Sequence, residues 1–174
     1  RYTVRVGGHT RIDDTGKAYT VGDYEITKNL QEQIKLLFNL AIYTGLWKGE
    51  LLALKWSDID FQRNVVQVSK AVTVVDGKQV CKTPKTKSSY RTVSFPQFLA
   101  ARLKALQRSE LEQRFQFGQG WQGEDWIFIQ DNGRMMSYST PYEAFQDAIR
   151  RYNNGKAAED QLPLIPFHGL RHTS

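Results

Sequence analysis

Asp76-Gly77 stands between two strand-like runs, Val72-Thr73-Val74-Val75 and Gln79-Val80-Cys81, and no other short signal restricts this chain's folding more. An Asp-Gly pair supplies the positive φ angles that a two-residue hairpin turn needs. Val65-Val66-Gln67-Val68 precedes the hairpin, and Arg91-Thr92-Val93-Ser94-Phe95 follows it as a third strand that Pro96 ends. Helical periodicity flanks this strand region. Leu30, Ile34, Leu37, Leu40 and Ala41 recur at helical spacing over 28–43, and Gly45 breaks that helix. A shorter helix fits 48–56, with Leu51, Leu52 and Leu54 for the core, and Ser57-Asp58-Ile59-Asp60 reads as a turn. Downstream, Leu99, Leu103, Leu106 and Leu111 mark a helix over 98–115. Trp126-Ile127-Phe128-Ile129 reads as a short buried strand, and Phe145, Ala148 and Ile149 line one face of a helix over 142–152. The expected fold is α+β: mostly α-helical, with one small three-stranded antiparallel sheet.

Residues 1–27 are ambiguous. Tyr2-Thr3-Val4-Arg5-Val6 and Lys17-Ala18-Tyr19-Thr20-Val21 read as strands separated by glycines, or equally as a linker entering a domain. The chain carries no starting methionine, which is what a fragment would show.

Charge narrows the partner class without fixing it. The 174 residues carry a net charge of +6, so nucleic acid is an admissible partner, though many basic proteins bind nothing acidic. The longest apolar stretch, Leu36 to Tyr43, is interrupted by Asn39 and is too short to span a bilayer. Arg1-Tyr2-Thr3-Val4-Arg5 holds no signal-peptide core. The single cysteine, Cys81, forms no internal disulfide, fits a reducing cytoplasm, and reads as a small packing residue in a strand. Three histidines and one cysteine without ligand spacing argue against a structural zinc site.

The last residues, Pro166-Phe167-His168-Gly169-Leu170-Arg171-His172-Thr173-Ser174, carry chemistry. If a helix opens at Phe167, His168 and Arg171 share a face of its first turn. An imidazole, a guanidinium and unpaired helix N–H groups together would seat a phosphate.

Three segments together resemble the tyrosine recombinases, the phage integrase family. Thr44-Gly45-Leu46-Trp47-Lys48-Gly49-Glu50-Leu51-Leu52-Ala53-Leu54-Lys55-Trp56-Ser57-Asp58-Ile59-Asp60 is similar to the family's first conserved box. Pro84-Lys85-Thr86-Lys87-Ser88-Ser89 resembles its β-hairpin lysine segment, and His168-Gly169-Leu170-Arg171-His172-Thr173 its second box. The style is closest to integrases of phages and conjugative transposons. The resemblance spans residues 28–174, read as a catalytic domain that stops before the nucleophile, with 1–27 unassigned or a linker.

The resemblance implies cleavage of one DNA strand by a tyrosine, giving a 3′-phosphotyrosyl link and a free 5′-hydroxyl. It implies integration or excision of a mobile element, with no metal or nucleotide cofactor. Double-stranded attachment-site DNA is the implied partner, a homo-tetramer on DNA the assembly, and a bacterial or phage-encoded cytoplasmic protein the setting. Arginines suit such chemistry because forked guanidiniums take up charge on non-bridging phosphate oxygens. By position, Arg171 matches the family's second arginine and His168 its phosphate-binding histidine. Lys85 matches the acid that protonates the leaving 5′ oxygen, with Lys87 as the alternate. Glu50 matches a carboxylate that steadies an arginine, with an exposed helix residue as the plain alternative. His172 matches a buried structural histidine, whereas His9 has no match. Lys55, Lys82 and Arg91 are either DNA-backbone contacts or a solvated basic face.

Two departures stand out. Trp47 occupies the family's first-arginine position, and an indole offers one neutral donor where a guanidinium offers a charged fork. Either the recombinase is degenerate there or a different arginine serves. Lys48 is a poor substitute, since neighbouring helix residues point about 100° apart. The nucleophilic tyrosine is also not in the chain, because Tyr138, Tyr142 and Tyr152 all precede the second box. A catalytically inactive, recombinase-like DNA-binding module with a regulatory role is therefore the second reading. A basic domain with chance matches, including an RNA binder stacking bases on Phe115, Phe117, Trp121 or Trp126, is the third.

Overall fold

The computed structural model describes residues 10–12, 18–83 and 90–165, with side chains from residue 29 on. Two short strands, β1 (Thr10–Ile12) and β2 (Ala18–Thr20), pair antiparallel and lead into helix α1 (Val21–Thr44). The helix thus begins seven residues before the apolar spacing becomes visible at Lys28. Ile34, Leu37, Leu40 and Ala41 are buried as the spacing requires, while Leu30 is 37% exposed and lies outside the core. Gly45 ends α1 in the left-handed region (φ 61°), donating its N–H to the Ala41 carbonyl at 3.0 Å.

Helix α2 (Lys48–Leu52) is shorter than its expected span. The chain leaves it through a single 3₁₀ turn at Trp56–Asp58 and enters β3 (Ile59–Asp60), where the sequence reads only as a turn. The three-stranded antiparallel sheet has the order β3-β4-β7, with β4 at Val65–Val68 and β7 at Arg91–Ser94. Val66 and Val68 alternate into the core around exposed Gln67, which fixes the register that pairs Val66 with Val93 and Val68 with Arg91. The Asp-Gly hairpin, β5 (Ala71–Val75) and β6 (Lys78–Lys82), forms as expected but is a separate two-stranded sheet. It sits against α2, where Gly49 lies so close to β5 that a Cβ there would fall 2.4 Å from the Val72 carbonyl oxygen.

Helices α3 (Gln97–Phe117) and α4 (Thr140–Asn153) close the core. Leu37, Leu40, Leu51, Leu52, Leu99, Leu103, Ile127 and Phe128 are fully buried together, each contributing about 1.5–3 kcal/mol by leaving water. Phe38 on α1 meets Phe145 on α4 edge to face at 5.7 Å.

Several expectations change. Leu111 on α3 is 60% exposed and Phe115 is 89% exposed, so neither belongs to the core. Cys81 is exposed on β6 rather than packed. Ile127, Phe128 and Ile129 are buried as expected, with Trp126 half-buried, yet residues 126–129 form isolated bridges instead of a strand. Their backbone groups find scattered partners: Ile127 N–H donates to the Leu54 carbonyl at 3.0 Å, and Ile129 N–H to the Gln33 side-chain oxygen at 2.8 Å. A buried side-chain amide replaces a ladder bond there, which removes the need for a neighbouring strand.

Candidate functional site

Helix α2 starts at the centre of the site. Trp47 is its N-cap, with extended backbone (φ −70°, ψ 152°), and Trp47 N–H donates to Glu50 Oε2 at 2.8 Å. This is one half of a capping box; the indole has no acceptor for the reciprocal bond. The Trp47 side chain is 53% exposed.

The Glu50 carboxylate also takes the fork of Arg91, with Nη1 to Oε1 at 2.7 Å and Nη2 to Oε2 at 2.8 Å. Glu50's side chain is 12% exposed and Arg91's 34%, so the carboxylate is the more deeply buried partner and the arginine keeps partial access to solvent. The bidentate bond to Glu50 raises the Arg91 pKa further, so the guanidinium stays charged at any working pH. A fork bound end-on uses two of five N–H donors, which leaves the others to meet an anion.

Lys48 turns elsewhere. Its ammonium lies 3.7 Å from the centre of the Tyr138 ring, and burial lowers its pKa. Tyr138 belongs to the loop before α4, and Tyr138 N–H donates to Gln79 Oε1 at 2.8 Å. The same Gln79 amide donates through Nε2 to the Met136 carbonyl at 3.1 Å. Helix α2, strand β6, the start of β7 and the 135–138 loop therefore meet around position 47.

Among the residues singled out from sequence, Glu50, Trp47 and Arg91 come together here. Lys55 is committed to Glu124 and to the face of Trp126, with its ammonium 4.4 Å from the ring centre, so it is a paired side chain rather than a solvated one. Lys82 ends exposed β6. Lys85, Lys87, His168, Arg171, His172 and His9 lie outside the described residues. Gln79 and Tyr138 carried no sequence signal: one exposed amide and one loop tyrosine match no motif, and only the docking of the hairpin joins them.

The phage integrase family model matches residues 18–174 of the chain. The tyrosine recombinase XerC-like protein of Caldanaerobacter subterraneus subsp. tengcongensis is 33% identical over 170 residues, covering 88% of this chain and 41% of that protein. The ICEBs1 integrase of Bacillus subtilis is 37% identical over 145 residues, covering 82% of this chain and 37% of that one. The chain thus spans about two fifths of the length of these relatives. In fold, it superposes on the Tn1549 transposon integrase in its complex with a circular intermediate DNA, with a TM-score of 0.63 at 22% identity, over 89% of this chain and 50% of that one. No described helix is long and apolar enough to cross a membrane. With a match across nearly its whole length and relatives from mobile elements, the chain belongs to the phage integrase family, as a tyrosine recombinase of the conjugative-transposon type.

Proposed function

We propose that residues 28–174 are the phosphate-holding part of the catalytic domain of a site-specific DNA recombinase that moves a mobile element. In this reading the full-length protein binds double-stranded attachment sites as a tetramer in the bacterial cytoplasm. A tyrosine beyond Ser174 attacks one strand. Arg171 and His168 hold the scissile phosphate, and His172 packs behind them. Lys85, with Lys87 as alternate, protonates the departing 5′ oxygen. The observation that carries the reading is the Glu50–Arg91 fork at the start of α2, because an anchored, partly exposed guanidinium on the carboxylate that also takes the Trp47 N–H supplies positive charge near the position where the family carries an arginine.

Trp47 favours a second reading. An exposed indole where the family carries an arginine suits a DNA-binding module that has lost strand cleavage and acts as a regulator. A nicked suicide duplex bearing the element's attachment site separates the two. A recombinase traps a covalent protein–DNA adduct; a regulator shifts the same duplex in a gel and traps none. Residues 1–174 alone should give no adduct under either reading.

A further inference from the structure

We propose that the outer face of α3 is a contact surface for a second copy of this chain, with the two helices antiparallel about a two-fold axis at the level of position 110. The two most exposed large apolar side chains among the described residues, Phe115 at 89% and Leu111 at 60%, lie four positions apart on this helix. That spacing sets them side by side on one face. Leu99, Leu103 and Leu106 occupy the buried face of α3, so the outer pair takes no part in the core. Single apolar residues scattered over a surface need no partner, but two bulky ones together on a helix face point to one.

The order of residues around that pair identifies the partner. Ala105, Arg108, Glu112 and Phe115 are all exposed, and their spacing of three, four and three keeps them on one stripe of the helix. In a two-fold contact each residue meets whatever lies equally far beyond the axis. With the axis at position 110, Arg108 faces the second copy's Glu112, and Glu112 faces its Arg108. Phe115 covers the second copy's Ala105, large against small, and the two Leu111 side chains meet beside the axis. The stripe is thus complementary to itself in charge and in size. A parallel pairing would instead set Arg108 against Arg108 and Glu112 against Glu112, which repel. Among the described residues neither Arg108 nor Glu112 forms an ion pair, so both charges are available to a partner. From Ala105 to Phe115 the contact runs about 15 Å, or roughly three turns. A stripe that short belongs at the low end of interface sizes, below about 1,200 Å², where association is weak and depends on concentration. The contact needs no DNA and does not depend on the recombinase reading.

Sedimentation equilibrium of the 174-residue chain without DNA tests the assignment. Its average mass should climb from monomer toward dimer over concentrations on the order of micromolar to millimolar. Phe115→Asp should weaken that association about tenfold or more. The variant should melt with the parent, because the side chain it alters lies outside the core. Arg108→Glu and Glu112→Arg each place like charges across the axis and should each weaken association about fivefold or more. The two together restore the opposite pairing and should return the affinity to within about threefold of the parent. A monomer at every concentration, a Phe115→Asp variant that associates like the parent, or a double swap as weak as the single ones overturns the proposal. A Phe115→Asp variant that still self-associates but no longer shifts duplex DNA in a gel gives the face to DNA, and overturns it too.

Discussion

Glu50 and Arg91, separated by 41 positions in sequence, form a two-point ion pair at 2.7 and 2.8 Å in the first turn of α2, the helix that Trp47 caps. The pair joins the start of α2 to the start of β7, and Glu50 adds the Trp47 backbone to the same carboxylate. Removing either partner leaves the other half-buried and alone, which is costlier than the pair is worth. Glu50→Ala and Arg91→Ala should each destabilise the fold by about 1–3 kcal/mol, with a coupling of about 1 kcal/mol or more in the double-mutant cycle. Urea denaturation of the four proteins measures it. Strict additivity would show that the pair is only a surface contact.

Glu110 makes stability depend on pH in an unusual direction. It is buried on α3, takes the Trp56 indole N–H at 2.7 Å, and has its pKa pushed from 4.5 up to about 8 by burial. A carboxyl with a higher pKa folded than unfolded binds more protons in the folded chain. Its contribution is therefore intact below about pH 4.5 and is lost as pH rises to about 8, with a ceiling on the order of 4–5 kcal/mol. Glu110→Gln keeps an acceptor for Trp56 and removes the titration. Above pH 8 the variant should melt higher than the parent, and the gap should close toward pH 5. A gap that does not change with pH would mean that Glu110 stays ionised throughout.

Gly49 tests the docking of the hairpin. An alanine Cβ would come within 2.4 Å of the Val72 carbonyl oxygen, a backbone atom that cannot swing aside. Gly49→Ala should cost about 1–3 kcal/mol despite the better helix propensity of alanine. A stabilised variant in thermal melting would show that α2 and β5 are not in contact in solution.

Most of the architecture was readable because it obeys period. Val66 and Val68 around Gln67, the Asp76-Gly77 turn, and the leucines of α3 all pack as their spacing dictates, apart from Leu111 near the helix end. Periodicity fails at 126–129, where burial is right and the strand is not, because Gln33 supplies from 96 residues away the acceptor a ladder would have given. Gln33→Leu would orphan the Ile129 N–H at a cost of about 1–3 kcal/mol, which hydrogen exchange at that amide and denaturation would both report. The site divides the same way. The Trp47 to Glu50 spacing lies within one helical turn and is visible in the sequence. The partner of Glu50 is set by the register of β7, and the grip of Gln79 by how a free-standing hairpin docks. Neither leaves a local pattern.

In the proposed recombinase, position 47 faces the scissile phosphate beside the Glu50–Arg91 pair. The direct measurement is the rate of covalent adduct formation on a nicked attachment-site duplex by the full-length protein, with Trp47 and with Trp47→Arg. A restored guanidinium should raise that rate by about 10²–10³-fold with little change in duplex affinity. Equal rates for the two proteins, or faster cleavage with Trp47, would show that position 47 does not face the phosphate.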